Sequence, residues 1–166
     1  MRALAILFVA LCLSTPAWAQ SISRPSADRT YATAAEIAAI MDKAAAEAAA
    51  GKPGGGGSLL KLGPYASTLE YRTAVGTAGV HERDDELFFV VEGSGVLMTG
   101  GRLTDPRRTN STTLLGAGVE GGTPRKVGKG DTFIVPRNTP HWFSAIDGRL
   151  VMISMKLPDG PPAPQP

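Results

Sequence analysis

The sequence contains little cysteine and carries almost no net charge. Its 166 residues include a single cysteine, and 17 Lys and Arg residues face 15 Asp and Glu residues, which gives a formal net charge of +2 at pH 7. A balance this small produces no strong electrostatic field that would attract nucleic acid or an anionic membrane surface. We therefore expect no nucleic-acid partner.

Long apolar runs are also scarce, and the longest lies at the N-terminus. Arg2 precedes an apolar run from Ala3 to Leu13, and a short stretch ending in Ala17-Trp18-Ala19 follows it. This order is typical of a secretory signal peptide, and the run is about half as long as the ~20 residues that cross a bilayer core. We predict cleavage after Ala19 and a secreted or periplasmic protein without membrane contact; an uncleaved anchor is the alternative.

The absence of cysteine elsewhere limits the available chemistry. Cys12 lies within the predicted signal peptide, residues 1–19, so the rest of the chain has no disulfide, thiolate ligand or cysteine nucleophile. Any metal must therefore be bound by histidine or by oxygen ligands. The glycine run Gly54–Gly57 lacks the Gly-Lys-Ser/Thr ending of a phosphate-binding loop, and no serine–histidine nucleophile pair is indicated.

Residues 20–58 are predicted to form an N-terminal extension with one helix at about 34–50. Thr33-Ala-Ala-Glu36 has the form of a capping box, and strong helix formers follow it. The large apolar side chains of this segment form one narrow stripe, which predicts a helix on the outside of a larger structure: Ile37, Ile40 and Met41. The glycine run at 54–57 predicts a flexible linker after the helix.

From Leu59 onward, short apolar runs alternate with turn residues, which is typical of an antiparallel β domain. We predict an all-β domain over residues 59–157 and a Pro-rich disordered tail over 158–166. The predicted strands are Ser67–Thr73, Glu86–Val91, Gly95–Thr99, Arg125–Val127, Thr132–Val135, His141–Ala145 and Leu150–Lys156.

Two segments between these strands carry further expectations. The stretch from Glu92 to Gly95 is expected to reverse the chain as a hairpin turn. Residues 100–129 are longer than a plain hairpin loop and predict a loop at the edge of the fold. Arginines there are candidates for clamping an anionic substrate, and a solvated turn is the alternative for Asp105-Pro106-Arg107-Arg108.

The segment Leu87–Val91 is apolar at every position, so we expect it to be covered on both faces by a second sheet or by another subunit. Pairing with a second copy also protects edge strands, and we therefore predict a homodimer. The two-residue period of a strand places Glu86, Phe88 and Val90 on one face. A carboxylate at the head of such a strand requires a partner, a metal or water.

The chain has two histidines, and each lies beside a predicted strand at a distinctive spacing. His81 is followed after four residues by Glu86 and after six more by Gly93. Gly130 is followed after five residues by Pro136-Arg137-Asn138 and after two more by His141. These two stretches resemble, in order and spacing, the two motifs of the cupin family, and the resemblance covers about residues 62–157.

The resemblance implies an all-β double-stranded β-helix, a jelly-roll barrel, preceded here by the N-terminal helix. It also implies that His81, Glu86 and His141 point into the barrel mouth around a divalent transition metal: Fe, Mn, Ni, Cu or Zn. Gly79 stands where the family motif has a further histidine, so one usual ligand is absent. Asn138 replaces a glycine of the second motif and Ala145 its final asparagine, which suggests local turn variation.

Several neighbouring residues are candidates for contact with a substrate. Phe88 shares a face with the predicted ligand Glu86, and Phe143 shares one with His141, so we predict that both phenylalanines line the substrate pocket. Tyr71 and Arg72 are candidate catalytic residues, as proton donor or anion clamp. Because Glu70 and Arg72 share one face and Tyr71 lies on the other, either the pair or the tyrosine lines the cavity.

Two functions are compatible with these residues. The first is a metal-dependent enzyme acting on a small organic molecule by oxygen-dependent cleavage, elimination or isomerisation. The second is a non-catalytic protein that binds a small ligand or a sugar with a degenerate metal site. At the level of single residues, His81 is alternatively a salt-bridged surface group and His141 a hydrogen-bonded core histidine.

Overall fold

The structure is a computed structural model that describes residues 28–159. The predicted signal peptide and residues 160–166 of the predicted tail lie outside these residues. The described part begins with one helix, α1, at Ala34–Ala49. Eleven strands follow: β1 Gly54–Leu62, β2 Tyr65–Arg72, β3 Ala78–His81, β4 Asp84–Thr99, β5 Arg102–Thr104, β6 Arg107–Asn110, β7 Thr113–Gly116, β8 Gly118–Glu120, β9 Thr123–Gly128, β10 Thr132–Val135 and β11 His141–Pro158.

The capping box predicted at the start of α1 is present. The Thr33 hydroxyl accepts a hydrogen bond from the Glu36 backbone N–H at 3.1 Å, and the Glu36 carboxylate accepts one from the Thr33 backbone N–H at 2.7 Å. The apolar stripe of the helix packs against the sheet, where Ala44 is buried. No helix among residues 28–159 is long and apolar enough to cross a membrane.

The flexible linker predicted at Gly54–Gly57 is wrong, because these glycines begin β1 and pair with the end of β2. The reason is the closeness of the helix. A Cβ atom on Gly55 would lie 3.2 Å from the Ala44 Cβ, and one on Gly57 would lie 3.2 Å from the Ile40 Cγ2. The glycines therefore allow α1 to lie directly on the strand.

The two longest strands, β4 and β11, pair antiparallel with each other and form the centre of the sheet. The hairpin predicted at Glu92–Gly95 is wrong, since β4 continues through it as one bent strand. β11 also pairs with β2 and, at His141, with β3, whereas β9 and β10 pair with the remaining edge of β4. β11 likewise joins two predicted strands and extends to Pro158, one residue beyond the predicted domain boundary.

Alternation along the central strands separates two apolar clusters. The inner cluster contains Phe88, Val90, Leu97, Val127, Val135, Phe143, Leu150 and Met152. The outer cluster lies beneath α1 and contains Ala44, Leu59, Leu69, Tyr71 and Val151. The predicted all-β jelly-roll fold with an N-terminal helix is thereby confirmed.

The expectation that Leu87–Val91 is covered on both faces is met on the inner face and only in part on the outer face. Phe88 and Val90 are buried and Val91 packs against the outer cluster, but Phe89 on the outer face is 46% exposed, so no second sheet among residues 28–159 covers it. Ile134 on β10 is exposed as well. The homodimer stays a prediction.

The long loop predicted within residues 100–129 is wrong, because this segment forms β5 to β9, of which β9 contains the strand predicted at Arg125–Val127. Its hydrophobic residues Leu114 and Leu115 lie opposite Val80 and Gly79 of β3, which gives the segment a packed strand instead of a free loop. Two of its arginines pair with surface carboxylates: Arg102 with Glu120, and Arg108 with Glu82 at 2.8 Å.

We expect Gly93→Ala to destabilise the protein by about 2 kcal/mol or more. Gly93 has φ +79°, and a Cβ there would lie 1.9 Å from the Arg149 carbonyl oxygen, a backbone atom of the paired strand. Thermal unfolding followed by circular dichroism measures the effect. Gly128→Ala is the matched control because a Cβ there meets nothing closer than 4.0 Å; equal melting temperatures for the two variants would contradict the explanation.

Candidate metal centre

Three strand ends bring the two histidines and Glu86 together. His81 is the last residue of β3, Glu86 is the third residue of β4, and His141 is the first residue of β11. His141 lies opposite Gly79 in the pairing of β11 with β3, which sets its ring beside that of His81 with centroids 5.5 Å apart. The positions follow from pairing over long sequence distances, although each side chain's direction follows from the local strand period.

The three side chains converge on one point. The Nε2 atom of His81 lies 3.3 Å from Oε2 of Glu86, and the Nε2 atom of His141 lies 3.4 Å from the same oxygen. One ligand atom from each of the three residues lies within 4.8 Å of the others. Two imidazole nitrogens and one carboxylate oxygen therefore form a possible metal site.

Glu86 keeps its charge in this buried position. Burial opposes ionisation of the carboxyl, but hydrogen bonds from His141 and His81 and the positive charges of His81 and Lys156 outweigh it and lower the pKa of Glu86 well below its ordinary value. The side chain is 8% exposed. The fold thus holds an anionic ligand where a cation would bind.

His141 is oriented by a backbone carbonyl. Its Nδ1 lies 3.1 Å from the Thr139 carbonyl oxygen, so Nδ1–H donates that hydrogen bond and Nε2 is the ring nitrogen that faces Glu86. Nε2 is therefore the atom that would bind a metal. Nearby, the Asn138 backbone N–H donates to the His81 carbonyl at 2.8 Å, which joins the turn before one histidine to the other histidine.

Asn138 shows why the second motif tolerates its missing glycine. The residue has φ +59°, in the left-handed region that favours glycine and that asparagine adopts more readily than most residues. The turn geometry is thereby kept without glycine, as the interpretation of local turn variation predicted.

The alternatives for the two histidines were a salt-bridged surface group for His81 and a hydrogen-bonded core residue for His141. Neither alternative fully describes the contacts of these side chains. The acidic residues next to His81 have other partners: Glu82 pairs with Arg108, and Asp85 pairs with Arg137 at 3.1 Å. His81 faces Glu86 instead of solvent. His141 is hydrogen-bonded and 9% exposed, as a core histidine is, but its Nε2 faces the same carboxylate.

A cavity of about 390 Å³ opens beside the three residues. Phe88 and Phe143 both line it, where the sequence predicted them. Arg72 lines it too, with its guanidinium carbon 5.1 Å from the centre of the Phe143 ring. Trp142 lies at its rim and donates a hydrogen bond from Nε1 to the Gly76 carbonyl at 2.8 Å.

The two candidate catalytic residues are separated by the sheet. Arg72 faces the cavity with Glu70, whereas Tyr71 is buried in the outer cluster beneath α1. The structure does not bring Tyr71 to the site, because the two-residue period of β2 turns it toward the helix. A catalytic role for Arg72 stays a prediction.

Sequence reasoning missed two polar residues that contact His81. The Nδ1 atom of His81 lies 3.1 Å from Lys156 Nζ and 3.4 Å from Thr113 Oγ1. Thr113 lies opposite His81 in the pairing of β3 with β7, and Lys156 lies opposite Glu86 in the pairing of β4 with β11. Nothing in the local sequence gives these registers.

Comparison with protein families gives one match. The family model described as Cupin matches residues 58–161, which include β2 to β11. No curated protein matches the chain.

Several solved structures are similar to this chain at low sequence identity. KdgF from Halomonas sp. is 21% identical, with 65% of this chain and 82% of that chain covered and a TM-score of 0.48. The cupin domain of Cnp3 from Schizosaccharomyces pombe is 14% identical, with 65% and 63% covered and a TM-score of 0.45. Fe(II) HppE is 15% identical, with 64% and 52% covered and a TM-score of 0.49, so this chain spans about half the length of HppE.

We expect the free energy of unfolding of metal-free protein to fall more steeply below about pH 4.5 than that of Glu86→Gln. The folded pKa of Glu86 is lowered, so its contribution is present above the unfolded pKa of about 4.3 and is lost as the pH falls toward the folded value. Urea unfolding between pH 6 and pH 3 measures this dependence.

Asp42→Asn is the control, because it removes an exposed carboxylate on α1, outside the site. Its pH dependence should follow the unchanged protein. Parallel curves for the unchanged protein and Glu86→Gln would contradict the assignment of a buried carboxylate that stays ionised.

Proposed function

The chain belongs to the cupin family, and from that premise we propose that it binds one divalent transition metal through His81, Glu86 and His141 and acts on a small organic molecule in the adjoining cavity. The observation that carries the proposal is the convergence of both imidazole Nε2 atoms on one oxygen of Glu86.

The separations fit a metal. Two ligand atoms that bind a tetrahedral metal at about 2.1 Å are about 3.4 Å apart. The two nitrogen–oxygen separations of 3.3 and 3.4 Å have that size. These two separations are therefore compatible with one ion bound among the three ligand atoms, which all lie within 4.8 Å of one another.

The chemistry of the donors narrows the choice of metal. A set of two imidazoles and one carboxylate suits Fe, Mn, Ni, Cu or Zn better than the all-oxygen sites preferred by Ca and Mg. Three protein ligands leave positions for water or substrate. Gly79 keeps the His141 side of the site clear, because a Cβ there would lie 3.9 Å from His141 Nε2.

The bound metal supplies a Lewis acid that polarises the substrate, or a centre that activates oxygen. The residues of the chain bind the metal and form the walls of the cavity. Glu86 offsets part of the metal's charge, Phe88 and Phe143 exclude water from one side of the cavity, and Arg72 stacks on Phe143 where a substrate enters. Oxygen-dependent cleavage, elimination and isomerisation are the reaction classes in reach.

The non-catalytic alternative rests on Gly79, since the missing fourth ligand weakens the site. It predicts a protein that folds normally and retains no metal. Metal content therefore separates the two proposals.

We expect the protein spanning residues 20–166 to carry about one metal per chain by elemental analysis. His141→Gln and Glu86→Gln should each weaken binding by about 100-fold or more, because each removes a ligand. Glu82→Gln, a carboxylate change outside the site, should keep its metal. Competition with a coloured chelator measures the affinities, and far-UV circular dichroism checks the fold.

An unchanged protein that stays metal-free after exposure to each of the five metals contradicts the enzyme proposal and favours the binding protein. Full affinity in His141→Gln contradicts the ligand assignment.

Secretion is part of the proposed function and has its own test. We expect the chain expressed with residues 1–19 in a Gram-negative host to appear in the periplasm with Gln20 as its first residue by intact mass. Replacing both Ala17 and Ala19 with Asp should leave the precursor uncleaved, because the peptidase accepts small residues there. Trp18→Phe should be processed normally. A full-length cytosolic product would contradict the signal peptide.

A further inference from the structure

Two cationic side chains, Arg72 and Lys156, line the cavity. They differ in whether a carboxylate already pairs with the positive charge. Building on the proposed function, we propose that Lys156 binds a carboxylate of the substrate, so that the natural substrate is a small organic acid.

The charge of Arg72 is already paired. Its Nη2 and Nε lie 2.5 and 3.0 Å from Oε2 of Glu70. One face of the guanidinium lies against the Phe143 ring. Because a carboxylate and an aromatic ring occupy it, Arg72 shapes the cavity wall and does not supply a free positive charge.

Lys156 has no such partner. Among residues 28–159, no carboxylate oxygen lies within 4 Å of its ammonium nitrogen. The nearest polar side-chain atom that it contacts is Nδ1 of His81 at 3.1 Å. A half-buried ammonium that contacts an imidazole nitrogen and no carboxylate is poorly compensated, and it faces a cavity large enough for a small molecule.

Metal binding removes even that partner. An ammonium group has only donors, so Lys156 contacts Nδ1 of His81 only when Nδ1 accepts. When Nε2 of His81 binds a metal, Nδ1 carries the proton and becomes a donor, for which Thr113 Oγ1 at 3.4 Å is the available acceptor. The ammonium must then find another acceptor.

The charge of the loaded cavity favours an anion as that acceptor. A divalent metal and Lys156 together carry three positive charges, Glu86 offsets one, and Glu70 cancels Arg72. This leaves two positive charges that favour an anion, and the single ammonium beside the metal can donate hydrogen bonds to one carboxylate group. Metal and carboxylate should therefore strengthen each other's binding, and this coupling is reciprocal.

Calorimetry with benzoate and benzamide tests the proposal, since the two molecules share a shape and differ in charge. We expect zinc-loaded protein to bind benzoate at least tenfold more tightly than benzamide, and more tightly than metal-free protein does. Lys156→Gln should reduce the benzoate preference to within about threefold, and Lys156→Arg should retain it. Lys126→Gln removes an exposed lysine on β9 and should behave as the unchanged protein.

Zinc content is measured in each sample, so that the two proposals fail separately. Loaded Lys156→Gln with an unchanged benzoate preference overturns the role of Lys156 and leaves the proposed function standing. Phenylphosphonate binding tenfold more tightly than benzoate overturns the carboxylate class. An unchanged protein that takes up no zinc or other metal overturns both proposals.

Discussion

β4 and β11 pair from Asp84 opposite Pro158 to Thr99 opposite His141. This antiparallel register, which includes three irregularities, decides where Glu86, Lys156 and His141 lie. It sets Lys156 opposite Glu86 and leaves His141 at the start of β11, where it pairs with Gly79 of β3. A shift of one residue would turn Glu86 outward and Leu87 inward, so the same pairing that builds the inner apolar cluster also builds the site.

The site concentrates charge at the edge of that apolar cluster. A buried carboxylate is costly unless it is hydrogen-bonded, and here two imidazoles and the nearby Lys156 compensate it. The His141 ring is oriented by a hydrogen bond to the Thr139 carbonyl. The Nδ1 atom of His81 contacts Thr113 on β7 and Lys156 on β11. Such a preorganised set of ligands on rigid strands is what a metal centre requires.

Glycine residues shape the fold because they have no Cβ atom and so allow neighbouring atoms to approach the backbone closely. In β1 they let the helix approach the sheet, and Gly93 allows β4 to pass the backbone of β11. Gly79 keeps space beside His141 where the family motif has a further ligand. From the sequence alone, a glycine that allows close packing looks the same as a glycine in a flexible segment. For this reason the run Gly54–Gly57 predicted a linker, although in the structure it is part of a paired strand.

The sequence by itself determined the predominance of strands and the helix with its capping box, because strand alternation and capping patterns are local properties of the chain. The convergence of His81, Glu86 and His141 followed from the resemblance of the two motifs to those of the cupin family. The sequence also predicted Phe88 and Phe143 at the cavity. Only the tertiary structure decided that Arg72 and not Tyr71 faces the cavity, and that Lys156 and Thr113 contact His81. Those positions depend on which face the helix covers and on pairing registers between distant strands, which long-range packing sets and no local pattern records.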